Sequence, residues 1–289
     1  MTHATPDEVT SLLPKPTDRS LLVTEIYASI QGESTFAGIP FVLVRLARCN
    51  LRCVWCDSEF TFKGGTRWSV SSTLAEIRSH LLPHVLITGG EPLLQPAVHA
   101  LMKTLCDEEY TVLLETSGAL DVSGVDRRVR KIVDLKCPGS GESERNLWSN
   151  LKHLTVTDEV KFVIADRADF EWARDVIRKE RLAQQVGAIL LSPVSGDPEL
   201  PRTMAGWMLQ ERLPARLQLQ LHKVIWGAQE RRRSLPPWAP WQAQRSSCRT
   251  RPPWWPYRPR CSRSGRPGSS APHCPTRPRR RARRDRSSP

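Results

Sequence analysis

Arg48-Cys49-Asn-Leu-Arg-Cys53-Val-Trp-Cys56-Asp57-Ser58 sets three cysteines at a C-x3-C-x2-C spacing in a chain of 289 residues. Three closely spaced thiolates on one loop can hold three corners of a metal–sulfur cube and leave the fourth without a protein ligand in this segment. A cluster with one open iron can bind a small molecule, which a fully ligated electron carrier cannot. Two plainer readings compete. A structural zinc wants a fourth Cys or His at short spacing, and the closest histidines are His80 and His84. Three buried thiols gathered by chance would be an unusual coincidence. Spacing favours the iron–sulfur reading over both. Cys106 falls in a helical pattern and reads as a core residue, and Cys137 is not expected to be a ligand.

The elements around this loop follow an alternating pattern. Strand character is read at Phe41–Ala47, His84–Thr88, Thr111–Glu115, Lys131–Leu135, Glu159–Ile164, Gly187–Leu191 and Arg216–Leu221. Helical apolar spacing is read at Thr73–Leu82, Ala97–Glu109, Ser143–His153, Ala168–Leu182 and Glu199–Leu213. Repeated strand–helix–strand order predicts a parallel sheet with crossover helices, whose chemistry gathers at the C-terminal strand ends. The short motifs sit at those ends. Gly89-Gly90-Glu91-Pro92 lets backbone approach a ligand closely, and Glu91 could pair with an ammonium; alone it is a plain strand-to-helix turn. Glu115-Thr-Ser117-Gly and Asp134-Leu-Lys136 bring hydroxyls, carboxylates and an ammonium to the next two ends. Singly, each is an ordinary cap or surface pair.

Composition divides the chain. The net charge of +13 is concentrated in residues 231–289, which carry 17 Arg, no Lys and one acidic residue. Residues 1–230 hold 26 basic and 29 acidic side chains and are mildly acidic. The tail holds 12 of the 24 Pro, 4 of the 10 Trp and a single aliphatic Leu, Ile or Val, which is Leu235. Such a segment cannot offset its chain entropy by burial and is expected to be disordered. Arg without Lys, with much Pro, Ser and Trp, also suits a GC-rich gene read in a shifted frame. That reading is preferred to a nucleic-acid arm, so no direct nucleic-acid partner is expected. Residues 1–20 read as a flexible leader and 21–230 as the catalytic domain. No apolar run approaches the roughly 20 residues of a membrane span, and no secretory signal is visible. A cytoplasmic, reducing setting is expected, where cysteines bind metal or do chemistry.

An ordered set of motifs narrows the reading. Glu25-Ile-Tyr-Ala-Ser-Ile-Gln31-Gly-Glu33, Gly38-Ile-Pro-Phe-Val-Leu-Val-Arg45 and the Cys loop ending Cys56-Asp-Ser58 are followed by Thr88-Gly-Gly-Glu-Pro92. Glu115-Thr-Ser-Gly118, Asp134-Leu-Lys-Cys-Pro-Gly-Ser-Gly141, Leu191-Ser-Pro193 and Gln218-Leu-Gln-Leu-His-Lys223 complete it. The Cys loop resembles the signature of the radical S-adenosylmethionine (SAM) superfamily. The whole set, from about Leu22 to Gly227, resembles the 7-carboxy-7-deazaguanine synthases.

The resemblance implies an α/β fold, an incomplete parallel (β/α)6-type TIM-like barrel with the Cys loop at its mouth. It implies a [4Fe–4S] cluster on Cys49, Cys53 and Cys56, and SAM held by Gly89, Gly90, Glu91, Ser117, Lys136 and Ser192. It also implies a pterin substrate met by Gln31, Glu33, Arg45 and Gly90, and Mg²⁺ at the Ser58 hydroxyl. Gln220, His222 and Lys223, expected to end the last strand, would face the same cavity. The implied reaction converts 6-carboxy-5,6,7,8-tetrahydropterin to 7-carboxy-7-deazaguanine, toward queuosine. A homodimer and an electron donor such as flavodoxin are implied as well. Two alternatives stand beside it: a radical SAM activating enzyme acting on a protein glycyl site, and a zinc-containing RNA-binding protein.

Overall fold

The structure, a computed structural model, describes residues 20–227. The expected tail over 231–289 and the expected leader, apart from Ser20, lie outside the described residues. The described chain runs β1 (Ser20–Ile30), β2 (Pro40–Leu46), β3 (Thr66–Ser69), α1 (Val70–Ser79), β4 (His84–Gly89), α2 (Ala97–Asp107), β5 (Thr111–Thr116) and β6 (Arg130–Asp134). It continues through β7 (Glu159–Ile164), α3 (Arg167–Lys179), α4 (Leu182–Gln185), β8 (Ala188–Pro193), α5 (Leu200–Glu211), β9 (Arg216–Leu217) and α6 (Leu221–Trp226).

One sheet holds all these strands in the order β3-β1-β2-β4-β5-β6-β7-β8-β9. From β2 to β9 every neighbouring pair is parallel, while β1 is antiparallel to both β2 and β3. The sheet ends at β3 and β9, which do not pair, so the barrel is incomplete, as expected. Six parallel strands of five to seven residues form it, and β9 adds a two-residue seventh. The antiparallel β1 and β3 were not anticipated. In β1 the register shifts between Val23 and Glu25, so its apolar alternation breaks midway and the period-two signal weakens.

Strand pleat sorts the side chains into two faces. Val44, Ile87, Leu114, Val133, Phe162 and Leu191 point to the helices and are buried in the main core. The opposite, inner face is built in two tiers. Its lower tier is apolar: Phe41, Leu43, Leu86, Leu113 and Ile132 form a second cluster. Two residues further along the same strands come Arg45, Thr88, Glu115 and Asp134, joined by Lys161 of β7. The barrel therefore has a dry floor and a polar ring at the C-terminal strand ends, where the pattern placed the chemistry. The helices cover the outside with narrow stripes, as α2 does with Val98, Leu101, Met102 and Leu105.

Three expectations need correction. Ser143–His153 is not one helix but two 3-10 segments, Ser143–Arg145 and Trp148–His153. Its amides bond to other chain segments instead. Asn146 exchanges hydrogen bonds with the backbone of Lys136 at 2.9 Å, and Asn150 donates to the carbonyls of Gly118 and Leu120. The helix expected over Ala168–Leu182 breaks at Arg181, whose φ is +52°, and restarts as α4. The strand expected over Arg216–Leu221 stops at Leu217, so Gln220, His222 and Lys223 belong to the N-cap and first turn of α6.

Candidate active site

The Cys loop leaves β2 through Arg48, whose φ of +78° turns the backbone sharply. Arg52 then ties the loop to itself, donating to the carbonyls of Cys49 at 2.9 Å and Leu51 at 2.6 Å with its guanidinium over the Phe62 ring. Val54 donates its amide to Ser140 at 3.0 Å, fixing the far side of the loop. Cys49, Cys53 and Cys56 are free thiols, and all three line one cavity of about 870 Å³ at the polar ring.

That donor set fits an iron–sulfur cluster. Burial pushes the Cys49 thiol up to about 12 and raises Cys53 and Cys56 as well. Their thiolates need a cation the protein supplies only partly, through Lys136. Soft thiolates without a fourth protein ligand suit a cluster. Among the described residues, no three His, Cys, Asp or Glu converge as one ion would require; cysteines that each take a different iron need not converge. His84 cannot complete a zinc site. It opens β4, stacked on Phe41 with ring centroids 5.0 Å apart, at the opposite end of the sheet from the loop.

Gly89 and Gly90 line the cavity, but the close approach they permit is to the Cys loop itself. A Cβ on Gly89 would lie 2.2 Å from the Leu46 carbonyl oxygen, and one on Gly90 2.1 Å from that of Arg48. The Gly90 amide donates to Leu46 at 3.1 Å and that of Glu91 to Arg48 at 2.8 Å. Glu91 points away from the cavity. Fully buried, its carboxylate accepts from Leu93 N, Thr116 Oγ1, Ser117 N and Ser117 Oγ at 2.6–3.0 Å. It holds the end of β5 rather than presenting a free anion, so an ammonium would meet Ser117 or the Gly90 backbone first.

Ser117, Lys136 and Ser192 all line the cavity. Lys136 Nζ bonds Asp134 Oδ2 at 2.8 Å, while Asp134 Oδ1 is buried without a partner. Neighbouring Asp134 and the Cys53 thiol raise the Lys136 pKa against its burial. The Ser192 hydroxyl donates to Gln218 O at 3.1 Å, tying β8 to the chain beyond β9.

The other wall is the Gln31-Gly32-Glu33 loop. Gln31 accepts from the Glu33 amide at 3.3 Å through Oε1, and its Nε2 is buried with no partner. Glu33 is paired to Lys161 and accepts from Gln220 Nε2 at 2.7 Å. Arg45 is held by Glu25 at 2.9 Å beneath Phe60. The start of α6 closes this side. Leu221 donates to Gly32 O at 2.9 Å, and Lys223 bonds Asp57 at 2.9 Å and Ser195 at 2.8 Å. His222 fills the space a Cβ on Gly32 would take, 1.8 Å from its Nδ1. Ser58, beside Asp57, is on the rim, its hydroxyl bonded to Asp57 at 3.1 Å.

Of the expected residues, only Glu91 is turned out of the cavity. The cavity also holds Lys161, which no sequence motif marks, and Glu115, which the sequence marks only as a strand-end carboxylate. Each sits in a strand otherwise read as apolar, and a lone polar residue in such a run carries no period signal of its own.

Residues 43–204 match the radical SAM superfamily. A 7-carboxy-7-deazaguanine synthase of Koribacter versatilis is 47% identical over 218 residues, 71% of this chain and 96% of that protein. One of Chlorobaculum tepidum is 42% identical, over 74% of this chain and 98% of that protein. The crystal structure of QueE from Escherichia coli aligns with a TM-score of 0.55 at 23% identity, over 70% of this chain and 95% of that one, and shares the fold. The thiol loop, the glycines packed on it and matches of this length and identity place the chain in the 7-carboxy-7-deazaguanine synthase family of the radical SAM superfamily.

Proposed function

We propose that the chain converts 6-carboxy-5,6,7,8-tetrahydropterin to 7-carboxy-7-deazaguanine with release of ammonia. The observation that carries this is a single cavity with the three free thiols on one wall and Gln31, Glu33 and Arg45 on another. A glycyl-activating enzyme has no need of that second wall, and a zinc-containing RNA-binding protein needs neither.

When bound, a [4Fe–4S] cluster would supply one-electron reductive chemistry to SAM. The protein's part is to hold and orient. Cys49, Cys53 and Cys56 would ligate the cluster. Gly90, Ser117, Lys136 and Ser192 line the neighbouring cavity and suit the polar groups of SAM. Glu91 acts behind them by fixing Ser117. On the facing wall the Gln31 amide offers an unpartnered donor, Glu33 an acceptor and Arg45 a fixed cation for a substrate carboxylate. Ser58 offers a hard hydroxyl oxygen to Mg²⁺ at the rim. An external electron donor such as flavodoxin and a homodimer complete the reading. Among the described residues no helix is long and apolar enough to cross a membrane.

The test is anaerobic reconstitution with iron and sulfide, then assay of the carboxy-tetrahydropterin with SAM and a reductant. Formation of 7-carboxy-7-deazaguanine is expected, and Cys53→Ala should lose both the cluster spectrum and turnover. A fully loaded protein that makes no product from this pterin would overturn the assignment.

A further inference from the structure

Lys161 is the cation at the centre of the polar ring, and neither the cluster nor the SAM wall uses it. It projects from β7 beside Asp134, its register partner on β6, and its ammonium is ion-paired with Glu33 across the cavity. Gln220 Nε2 holds the other Glu33 oxygen at 2.7 Å. Both oxygens of Glu33 are thus fixed by donors. Glu115 faces the same space from β5. It is half-buried at the cavity wall, and among the described residues Thr88 Oγ1 is the group that hydrogen-bonds it, donating to Oε2 at 2.8 Å. Two carboxylates therefore share one cavity, one locked against a cation and the other supported by a single hydroxyl.

We propose that Lys161 is a positioning residue that fixes opposite protonation states on Glu33 and Glu115, making Glu33 the hydrogen-bond acceptor and Glu115 the donor toward an aminopyrimidinone ring. This rests on the pterin reading above and specifies how its ring is recognised. An aminopyrimidinone edge presents N–H donors beside a carbonyl acceptor. An ionised carboxylate can only accept, whereas a protonated one also donates. One of each matches that edge, and two ionised carboxylates would leave a buried acceptor facing an acceptor.

The charged surroundings agree with the geometry. Glu33 is faced by Lys161, by Glu115, by Asp57 beyond the Cys loop, and by Gln220 and His222 at the start of α6; burial works against its charge, and the Lys161 ion pair with the Gln220 hydrogen bond offsets this and holds the carboxyl below its ordinary value. Glu115 is faced by Glu33, Lys161 and Arg45, and by the Thr88 hydroxyl. Burial and the Glu33 charge push it up to about 7 despite both cations. Lys161 itself faces Glu33, Asp134 and Glu115 and is kept charged by them.

The experiment is calorimetric titration of 7-carboxy-7-deazaguanine, which keeps the ring edge, into the anaerobically reconstituted holoenzyme between pH 5.5 and 8.5. Wild-type affinity should fall as pH rises through about 7, tenfold per unit beyond it, as Glu115 loses its proton. Glu115→Gln, which keeps a donor, should weaken binding about threefold and flatten the profile. Glu33→Gln should weaken it at least tenfold. Lys161→Met should cost about tenfold and move the alkaline limb upward, because two carboxylates left without their cation hold a shared proton more tightly. Lys161→Arg should restore the wild-type limb. Circular dichroism and cluster absorbance of each variant separate misfolding from these effects. Equal losses in Glu33→Gln and Glu115→Gln, or an unmoved limb in correctly folded Lys161→Met, would overturn the proposal. Failure of the wild type to bind the product or turn over the pterin would instead sink the functional reading beneath it.

Discussion

Gly90 packs so closely on the Cys loop that a Cβ at this position would stand 2.1 Å from the Arg48 carbonyl oxygen and 2.8 Å from the Cys49 Cβ. Both obstacles belong to the segment that carries the first thiol, and neither is the end of a flexible side chain. Gly90→Ala must therefore move the loop or the end of β4, at a cost of about 1–3 kcal/mol for overpacking. The expected result is a folded protein that incorporates little iron on reconstitution, read as lost absorbance near 400 nm. Gly206→Ala is the control: a Cβ there meets nothing within 4 Å, and it lies inside α5. It should bind iron normally and gain up to about 1 kcal/mol from helix propensity. Equal iron content in both variants would refute this account of Gly90.

Glu91 joins the ends of β4 and β5 through its buried carboxylate. Glu91→Gln would turn an amide N–H₂ toward Thr116 and Ser117, which donate to this side chain. A donor facing donors in a buried site costs about 1–3 kcal/mol. The melting temperature should drop by several degrees, and SAM affinity should fall with it, because Ser117 loses the acceptor that sets its rotamer. Ser117→Ala keeps the carboxylate satisfied by the remaining donors, so it should weaken SAM binding with a smaller loss of stability. A larger thermal shift in Ser117→Ala than in Glu91→Gln would contradict this ordering.

How much of this was legible in the sequence follows from which forces leave a local signature. The thiol spacing and the alternation of buried strands with amphipathic helices are local patterns, and they led directly to a parallel sheet with the Cys loop at its C-terminal edge. Glu91 looks free in the sequence, as a carboxylate after two glycines, because the donors that occupy it, Thr116 and Ser117, lie 25 and 26 residues on. Asn146 and Asn150 hid in an apparently helical stretch for a similar reason, since their partners are the backbones of Lys136, Gly118 and Leu120. Lys161 is not legible in the sequence, because a single cation in a strand carries no pattern and its partner Glu33 lies 128 positions earlier.

The start of α6 is held by few contacts, and Lys223 makes two of them. Its ammonium bonds Asp57 at 2.9 Å and Ser195 at 2.8 Å, while Leu221 N reaches Gly32 O. Lys223→Ala removes an anchor whose side chain is only 19% exposed. The Leu221 amide should then exchange with deuterium at least about tenfold faster, corresponding to roughly 1.4 kcal/mol of local stability. The exchange of β5 and β7 should be unchanged. Uniform acceleration across the sheet would show that Lys223 stabilises the whole domain and not this segment.

Glu115 makes stability depend on pH in a direction opposite to most carboxylates. Its folded pKa of about 7 lies above the ordinary 4.5 it takes in an unfolded chain. Below pH 4.5 the group is protonated in both states and costs nothing. Between 4.5 and 7 the unfolded chain releases this proton and the folded one keeps it, so stability falls as pH rises. Past 7 the loss is complete, on the order of 3 kcal/mol. Glu115→Gln cannot titrate, so its melting temperature relative to wild type should climb by several degrees from pH 4.5 to 8, with both proteins in the same cluster-loading state. Other groups that titrate in this range cancel in the difference. A constant offset between the two curves would mean that the carboxyl is ionised in the folded protein throughout. Burial and the Glu33 charge would then not be keeping a proton on Glu115.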